Sequence, residues 1–371
     1  MLSAEEIERY DRHLHLTDVG SAGQERLKSA KVLVIGAGGL GCPVLQYLTA
    51  AGVGTIGIID GDKVDVSNLQ RQILFDTSDS GKYKAETAFH KLSLQNPFVN
   101  FKVYNTFLTT ENALEIISAF DIVIDGTDNF PTRYLINDAC IIADKPFVFG
   151  SIYKFEGQVS VFNYQGGPSY RCLYPSPPTP TEVPNCSNVG VLGVLPGNIG
   201  TLMANECLKM ILQIGEVSSG KLMLINLLTN ANLSLNVNRL ASNFERVELE
   251  KEYNFECEVK ELKNEMMKTI EAIELKSKLD KGEEVSILDV REIFEFEVCS
   301  IEGSVLIPMN TIRSRINEID EVIPTVVVCH HGMRSARVID FLEEQGFHNL
   351  YNLTGGIHAW AVEVDQNMTR Y

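Results

Sequence analysis

The stretch Lys31-Val-Leu-Val-Ile-Gly-Ala-Gly-Gly-Leu-Gly41 joins a short apolar run to a glycine-rich turn. The apolar run predicts a buried strand, and apolar residues at helical spacing predict a helix after the turn, at Val44, Leu45, Leu48 and Ala51. The turn carries a G-x-G-x-x-G pattern, made by Gly36, Gly38 and Gly41, with Gly39 between the last two. Such a turn brings the free N–H groups of a helix N-terminus close to a phosphate. By itself it predicts a bound nucleotide, in most proteins a dinucleotide.

The composition is that of a globular protein with an acidic surface. Of the 371 residues, 44% are hydrophobic and 22% are charged, and the net charge is −17. This charge and the lack of a long basic cluster argue against nucleic acid as a partner, and no apolar run has the length of a membrane span. The first residues lack the pattern of a secretory signal, and the 8 scattered cysteines contain no C-x-x-C pair. We therefore expect a cytoplasmic protein of two domains.

Charged residues after the turn distinguish this nucleotide fold from an ordinary dehydrogenase. A second strand ends at Asp60, about twenty residues past the glycines, which is the ribose-binding position of a Rossmann-type unit. Arg71 lies in the polar segment that begins at Asn68, and Lys84 lies in a turn that enters a helix. A hydride-transfer enzyme does not need these cations near its phosphates, whereas an enzyme that cleaves ATP uses them to offset developing negative charge.

A carboxylate follows another strand of the same predicted sheet. The strand at 121–125 leads into Thr127-Asp128-Asn129. Asp128 then falls at the carboxyl edge of a parallel sheet, where ligands of open α/β folds bind, and it could hold magnesium there. Near the start of the chain, Ser3 and Glu6 form a capping-box pattern that predicts a short helix running through residues 9–12.

Residues 9–12, the glycine turn, Asp60, residues 68–72, Lys84 and residues 127–129 together resemble the ubiquitin-activating superfamily. The closest branch is that of the MoeB/ThiF-type (E1-like) adenylyltransferases, which activate sulfur carriers. The resemblance covers roughly the first 250 residues, with its motifs in family order. It implies an α/β fold, with a Rossmann-like adenylation domain built on a mainly parallel sheet. It further implies nucleotide contacts from the residues Gly36, Gly38, Gly39, Gly41, Asp60, Asn68, Arg71, Lys84 and Asp128.

The resemblance also implies separate roles for these residues. Asp60 would hold the ribose, and Arg71 and Lys84 would contact the phosphates. Asp128 would position magnesium and the reacting groups, and Arg12 would reach the site of the partner subunit in a homodimer. The implied reaction activates a carboxylate, because the C-terminal glycine of a ubiquitin-like sulfur carrier (ThiS/MoaD type, ending in Gly-Gly) attacks the α-phosphate of ATP. Such a reaction needs positioning and charge neutralisation more than a protein nucleophile.

Cysteines in the outer part of this domain depart from the family pattern. Many relatives bind zinc with two C-x-x-C pairs, but only Cys172 and Cys257 remain of them here, so no structural zinc is expected. These two thiols either pair or, as we expect in the cytosol, pack as free cysteines. Between Pro168 and Pro196 lie seven of the 13 prolines, which predict a long surface loop. Cys186 lies in this loop, and the family resemblance implies that it takes part in sulfur transfer.

A second α/β pattern begins after a Glu-rich and Lys-rich stretch. We predict an adenylyltransferase domain at 1–250, a linker at 251–266 and a second domain at 267–371. In the second domain a buried strand ends at Cys329, and the turn that follows carries Arg334 and enters an amphipathic helix. Loop N–H groups, the helix dipole and Arg334 are expected to stabilise a thiolate or persulfide at this position.

Together with Asp289-Val-Arg-Glu292 and Gly355-Gly-Ile-His-Ala-Trp360, the cysteine loop resembles a rhodanese, a sulfurtransferase that carries sulfur as a persulfide. A tyrosine-phosphatase-like loop places its arginine one residue later, to hold a larger phosphate. The shorter spacing here favours sulfur.

The two halves predict a fused adenylyltransferase and sulfurtransferase that uses ATP and Mg²⁺ and converts the carrier's terminal carboxylate to a thiocarboxylate, releasing AMP. Its expected partners are the carrier and a persulfide donor such as a cysteine desulfurase. Two alternatives stay open: a scaffold that binds the carrier without chemistry, and a nicotinamide-dependent oxidoreductase fused to a phosphatase-like module. The pathway also stays open among thiamin, molybdopterin and cysteine synthesis.

Overall fold

The computed structural model describes residues 1–177, 190–253, 267–320 and 322–370. The chain divides into two units, Met1–Cys257 and Glu258–Tyr371. The predictions made for Cys186 and for Cys257 concern residues outside the described ranges. Within those ranges, no helix combines the length and the apolar character that crossing a membrane would require.

The first unit is built on one large sheet. Its strands are β1 Lys31–Ile35, β2 Thr55–Ile59, β3 Asn100–Tyr104, β4 Ile122–Asp125, β5 Phe147–Tyr153, β6 Glu156–Phe162, β7 Lys221–Asn226 and β8 Ala231–Asn236. Among the described residues they form an 8-stranded sheet in the order β3-β2-β1-β4-β5-β6-β7-β8. The first five strands of this order, β3, β2, β1, β4 and β5, pair in parallel with their neighbours. The remaining strands, β6, β7 and β8, each pair antiparallel with the strand before them. The prediction of a mainly parallel sheet is confirmed.

The apolar run of β1 supports packing on both faces of the sheet. Val32 and Val34 belong to one cluster of buried apolar side chains, and Leu33 and Ile35 belong to another. Successive side chains of a strand point to opposite faces, so a central parallel strand needs apolar residues without interruption. The helices of this unit are α1 Ala4–Arg9, α2 Asp11–Leu14, α3 Gly20–Ser29, α4 Gly41–Ala51, α5 Lys84–Gln95, α6 Ala113–Ser118, α7 Phe130–Ile142, α8 Tyr170–Leu173 and α9 Val194–Leu212.

The strand order reverses between β1 and β4. From β1 the chain continues to β2 and β3 on one side, and it then returns to β4 on the other side of β1. Ile35 pairs with Asp125, so both strands end at the same level of the sheet. The loops that follow these two strands therefore meet at a topological switch point, where open α/β sheets bind their ligands.

Two predicted segments differ in detail from the structure. The capping box of Ser3 and Glu6 is confirmed, but α1 ends at Arg9 and α2 follows as a separate helix, instead of one helix through residues 9–12. The proline-rich segment contains α8, and α9 begins at Val194, so the predicted loop is shorter at both ends. Pro196 lies in the first turn of α9, where a missing N–H costs no helical hydrogen bond.

The second unit has a smaller parallel sheet. Its strands are β9 Thr269–Ile270, β10 Ser286–Asp289, β11 Val305–Leu306, β12 Thr325–Val328 and β13 Leu350–Leu353. Within the described residues they form a 5-stranded sheet in the order β11-β10-β12-β13-β9. The helices are α10 Ala272–Asp280, α11 Ile293–Val298, α12 Ile312–Arg315, α13 Met333–Glu344 and α14 Gly356–Glu363. The central strand β12 is buried as predicted, but it ends at Val328, one residue before the predicted end at Cys329.

Candidate functional site

The glycine turn between β1 and α4 requires glycine at two positions. Gly36 has a φ of +92°, and a Cβ at this residue would lie 2.9 Å from the carbonyl oxygen of Gly126. A Cβ at Gly41 would lie 1.9 Å from the carbonyl oxygen of Gly36. Side chains cannot occupy such space, so these glycines allow the backbone of the turn to pack against itself and against the end of β4.

A cavity of about 760 Å³ opens at the switch point. This volume lies within the range of about 300–1,000 Å³ that small-molecule sites occupy. Its lining includes these predicted nucleotide-binding residues: Gly36, Gly38, Gly39, Asp60, Arg71, Lys84 and Asp128. Residues distant in the sequence are therefore brought together where the nucleotide was expected.

Asp60 connects the end of β2 to the glycine turn. Its carboxylate is buried and accepts hydrogen bonds from the N–H groups of Ala37 at 2.7 Å and Asp62 at 2.8 Å. Burial raises the pKa of Asp60, while the nearby charge of Lys84 and the two hydrogen bonds act in the opposite direction. Lys84 is also buried, and its Nζ lies 3.0 Å from a carboxylate oxygen of Asp62. The cation is thus held at the cavity wall by a partner that is itself largely hydrated.

Arg71 and Asp128 line the cavity from two different loops. The guanidinium of Arg71 donates to the carbonyl oxygen of Ser67 at 3.3 Å, and Asp128 is exposed after the end of β4. Asn68 does not line the cavity, but its carbonyl oxygen accepts from the N–H groups of Arg71 at 3.0 Å and of Gln72 at 2.9 Å. Asn68 therefore shapes the turn that carries Arg71.

Two further predicted residues lie outside the cavity lining. Gly41 begins α4 behind the turn, where it supports the close packing described above. Arg12 lies in α2, and its side chain is 94% exposed, with its Nε 4.0 Å from a carboxylate oxygen of Asp11. An arginine this exposed is available to another molecule.

Three residues at this site were assigned no role from the sequence: Gln72 and Arg133, which line the cavity, and Asp125, which lies beside it. Among the described residues, Gln72 Oε1, Asp125 Oδ2 and Arg133 Nε are buried and have no hydrogen-bond partner. Gln72 and Arg133 line the cavity, and Arg133 lies 5.5 Å from the ring centres of Phe130 and Phe149. Burial raises the pKa of Asp125, an effect that Arg133 opposes. Buried polar atoms without partners fit a site that binds a polar ligand, because isolation costs them free energy.

Cys329 lies at the carboxyl end of β12, and only 1% of it is exposed. Its Sγ accepts a hydrogen bond from the N–H of Gly332 at 3.1 Å, and the hydroxyl oxygen of Ser335 lies 3.3 Å away. Gly332 has a φ of +96°, which lets the loop turn back towards the sulfur before α13 begins. The single proton of the Ser335 hydroxyl has a closer acceptor, Oδ1 of Asn352 at 2.7 Å. The loop can therefore stabilise negative charge on sulfur chiefly with the backbone N–H of Gly332.

Arg334 has a partner that the sequence did not reveal. Its guanidinium forms a bidentate pair with Glu295 of α11, at 2.6 and 2.7 Å. The prediction treated Arg334 as a cation for the sulfur site, but Glu295 balances much of that charge. The arginine therefore also ties the cysteine loop to α11.

Comparison with known proteins assigns both halves of the chain. The description "ThiF family" matches residues 10–249, which is more than half of the chain. The chain belongs to the ThiF family. The description "Rhodanese-like domain" matches residues 271–363 of this ThiF-family chain.

Relatives match the whole chain or a large part of it. The ThiF-family chain is 41% identical over 378 residues to the probable adenylyltransferase/sulfurtransferase MoeZ of Mycobacterium tuberculosis, covering 100% of this chain and 96% of that protein. It is 52% identical over 240 residues to the sulfur carrier protein adenylyltransferase of Thermus thermophilus, covering 63% of this chain and 89% of that protein. These matches confirm the predicted class of enzyme, an adenylyltransferase with sulfurtransferase activity, and an adenylyltransferase of this family uses ATP.

A solved structure supports the fold. The crystal structure of E. coli MccB with MccA-N7isoASN superposes with a TM-score of 0.58 at 24% identity, covering 64% of this chain and 73% of that one. The predicted fold class is confirmed by this similarity and by the rhodanese-like match.

Cys172 of the ThiF-family chain is a half-buried thiol with several donors around it. Its Sγ accepts from the N–H groups of Ser169 at 3.4 Å and Leu240 at 3.3 Å, and from the side-chain amide of Asn243 at 3.4 Å. Burial raises the pKa of this thiol, but hydrogen bonds outweigh burial and lower the pKa, first among them the one with the hydroxyl of Ser169, 3.3 Å from the sulfur. The expectation that Cys172 packs near Cys257 concerns a residue outside the described ranges.

Proposed function

We propose that this enzyme uses ATP to adenylate the C-terminal glycine of a ubiquitin-like sulfur carrier and then delivers sulfur from Cys329 to form a thiocarboxylate. The observation that carries this proposal is the cavity at the switch point, where Asp60, Arg71, Lys84 and Asp128 meet the glycine turn. The name of the Thermus thermophilus relative, a sulfur carrier protein adenylyltransferase, supports the choice of acceptor.

In the first reaction, a carboxylate oxygen of the carrier's glycine attacks the α-phosphorus of ATP, and the bond to the leaving pyrophosphate breaks. We propose that Asp60 binds the ribose, and that the backbone N–H groups of the turn together with Arg71 and Lys84 bind the phosphates. Fixed cations stabilise the charge that develops on the phosphates without reorganising. Asp128 would hold Mg²⁺, which supplies further positive charge to the phosphate oxygens.

In the second reaction, the terminal sulfur of a Cys329 persulfide attacks the acyl carbon, and the bond from that carbon to the AMP oxygen breaks. The product is an acyl disulfide. A second thiolate, for which we propose Cys186, attacks the Sγ of Cys329 and releases the thiocarboxylate. This leaves a disulfide that an external thiol reopens. A persulfide donor such as a cysteine desulfurase would then reload Cys329.

Several further assignments belong to the same proposal. We propose domains at 1–250 and 267–371 with a linker at 251–266, and a homodimer in which Arg12 reaches the cavity of the partner subunit. We propose that Cys172 holds no structural zinc, since the tetrahedral sites of this kind need four ligands. A cytoplasmic location fits a mechanism that depends on free thiols.

The test is exchange of labelled pyrophosphate into ATP, with purified enzyme and each candidate carrier. The matched control is the same carrier without its last glycine. We expect exchange that depends on the intact carrier. If no candidate carrier supports exchange above its truncated control, adenylation of a sulfur carrier is wrong, and a scaffold without chemistry becomes the better description.

A further inference from the structure

We propose that His330, His331 and His358 form a binding site for a divalent transition-metal ion of the class that includes Zn²⁺. One ring nitrogen from each histidine can be chosen so that all three lie within 4.8 Å of one another. Two of the histidines belong to the loop that follows Cys329, and the third lies in α14. The sulfur-transfer chemistry described above uses none of them.

The backbone holds the two contributing segments together. The N–H of Ile357 donates to the carbonyl oxygen of Cys329 at 2.8 Å, and the N–H of His358 donates to the carbonyl oxygen of His330 at 3.2 Å. Gly356 has a φ of +61°, and a Cβ there would lie 2.3 Å from the carbonyl oxygen of Cys329. This close approach places His358 beside the cysteine loop before any metal ion binds. The fold therefore already bears much of the conformational entropy cost of bringing the three ligands together.

The rings need a small rearrangement to share one ion. The rings of His330 and His331 stack with centres 4.1 Å apart, and the ring of His358 lies 5.1 Å from that of His331 and 6.0 Å from that of His330. Nitrogens bound to one tetrahedral Zn²⁺ at about 2.0–2.1 Å lie about 3.4 Å apart. His331 and His358 are exposed, so rotation of their side chains can bring the three nitrogens to this separation.

The donor set decides the class of ion. Three imidazoles suit Zn²⁺, Co²⁺, Ni²⁺ and Cu²⁺, whereas Mg²⁺ and Ca²⁺ require oxygen ligands. Three protein ligands also leave a coordination position for a small ligand, as in the zinc sites of hydrolytic enzymes. Cys329 is not part of this group of ligand atoms. The structure therefore predicts an ion beside the sulfur site that is held independently of its thiol.

The test is isothermal titration of Zn²⁺ into the full-length chain, after chelator treatment and without an affinity tag. We expect one strongly bound ion per chain and no binding of Mg²⁺ to the histidines. His331→Asn and His358→Asn should each weaken this binding by more than about 100-fold. Loss of a group that only hydrogen-bonds to a metal ligand already costs about 10–100-fold in metal affinity, and a ligand itself contributes more. His348→Asn, at another exposed histidine of the same unit, should bind as the wild type does.

Two further measurements distinguish the histidine site from metal binding at the thiol and from loss of the fold. Cys329→Ser should retain the ion, and Co²⁺ bound to the wild type should show ligand-field bands without a thiolate charge-transfer band. Circular dichroism of the asparagine variants should match that of the wild type, because both side chains are exposed. The proposal is overturned if the wild type binds no ion, if the double variant His331→Asn/His358→Asn binds as tightly as the wild type, or if Cys329→Ser abolishes binding.

Discussion

Lys84→Gln tests the proposed phosphate site most selectively. Only 6% of the Lys84 side chain is exposed, and its Nζ lies 3.0 Å from a carboxylate oxygen of Asp62. The Asp62 side chain is 56% exposed, so its charge stays hydrated when the lysine is replaced. The buried carboxylate of Asp60, however, loses the nearby charge of Lys84. We therefore expect a stability loss above the roughly 1 kcal/mol of a solvent-exposed pair and below the about 3–5 kcal/mol of a fully buried one. The loss of one fixed charge at the phosphates should cost about 10²–10³-fold in adenylation, or about 2.7–4 kcal/mol.

The assay is carrier-dependent exchange of pyrophosphate into ATP, with thermal unfolding measured in parallel. Lys82→Gln is the matched control, because Lys82 is a nearby lysine that also forms an ion pair, 3.3 Å from Asp79, but its side chain is 58% exposed and does not line the cavity. We expect the control to exchange at the wild-type rate. The role proposed for Lys84 is refuted if a folded Lys84→Gln enzyme exchanges like the wild type, or if Lys82→Gln loses as much activity.

Three other substitutions separate the parts of the molecule. Asp128→Asn should lower pyrophosphate exchange by about 100-fold or more, as expected for the loss of a metal ligand or of a preorganised group. Mass spectrometry should still detect sulfur loading on the second unit of this variant. An equal loss of exchange and of sulfur loading would contradict the role proposed for Asp128. Gly41→Ala places a Cβ 1.9 Å from a carbonyl oxygen of the turn and should raise the KM for ATP, whereas Gly197→Ala, with open space around it, should leave KM unchanged. Asp289→Asn removes a carboxylate 2.6 Å from the fully buried Arg291. Denaturant unfolding should show a loss of about 3 kcal/mol, at the lower end of the range of about 3–5, since the arginine still donates to two backbone carbonyls; an unchanged midpoint would contradict this.

The sequence predicted those features of the fold that depend on local pattern. The apolar run of β1 and the glycines after it identify a strand, a turn and a helix without knowledge of distant residues. The position of Asp60 beside the glycine turn could be predicted because it follows from the spacing to the glycines, and its ribose-binding role stays a prediction. The cysteine loop could be predicted in the same way, since Cys329 and Arg334 occur in one short segment after a buried strand.

Features that depend on distant contacts could not be predicted in this way. Glu295 reaches Arg334 across 39 residues of sequence, and nothing in the local pattern of α11 indicates this pair. Arg133 enters the cavity from the first turns of α7, where its spacing matches no motif. Asp125 could have been predicted, because it is a carboxylate at the end of an otherwise apolar strand. A buried charge in that position signals a polar site at the sheet edge as clearly as Asp128 does.

The most direct test of the proposed reaction is the intact mass of a candidate sulfur carrier after incubation with ATP, a persulfide donor and either the wild-type enzyme or Cys329→Ala. With the wild type, we expect the carrier to exchange one oxygen for one sulfur. With Cys329→Ala, we expect no such exchange, while pyrophosphate exchange continues at the wild-type rate. Thiocarboxylate formed by the variant as fast as by the wild type, or a carrier that never gains sulfur with the wild-type enzyme, would contradict a chain that couples adenylation to sulfur transfer.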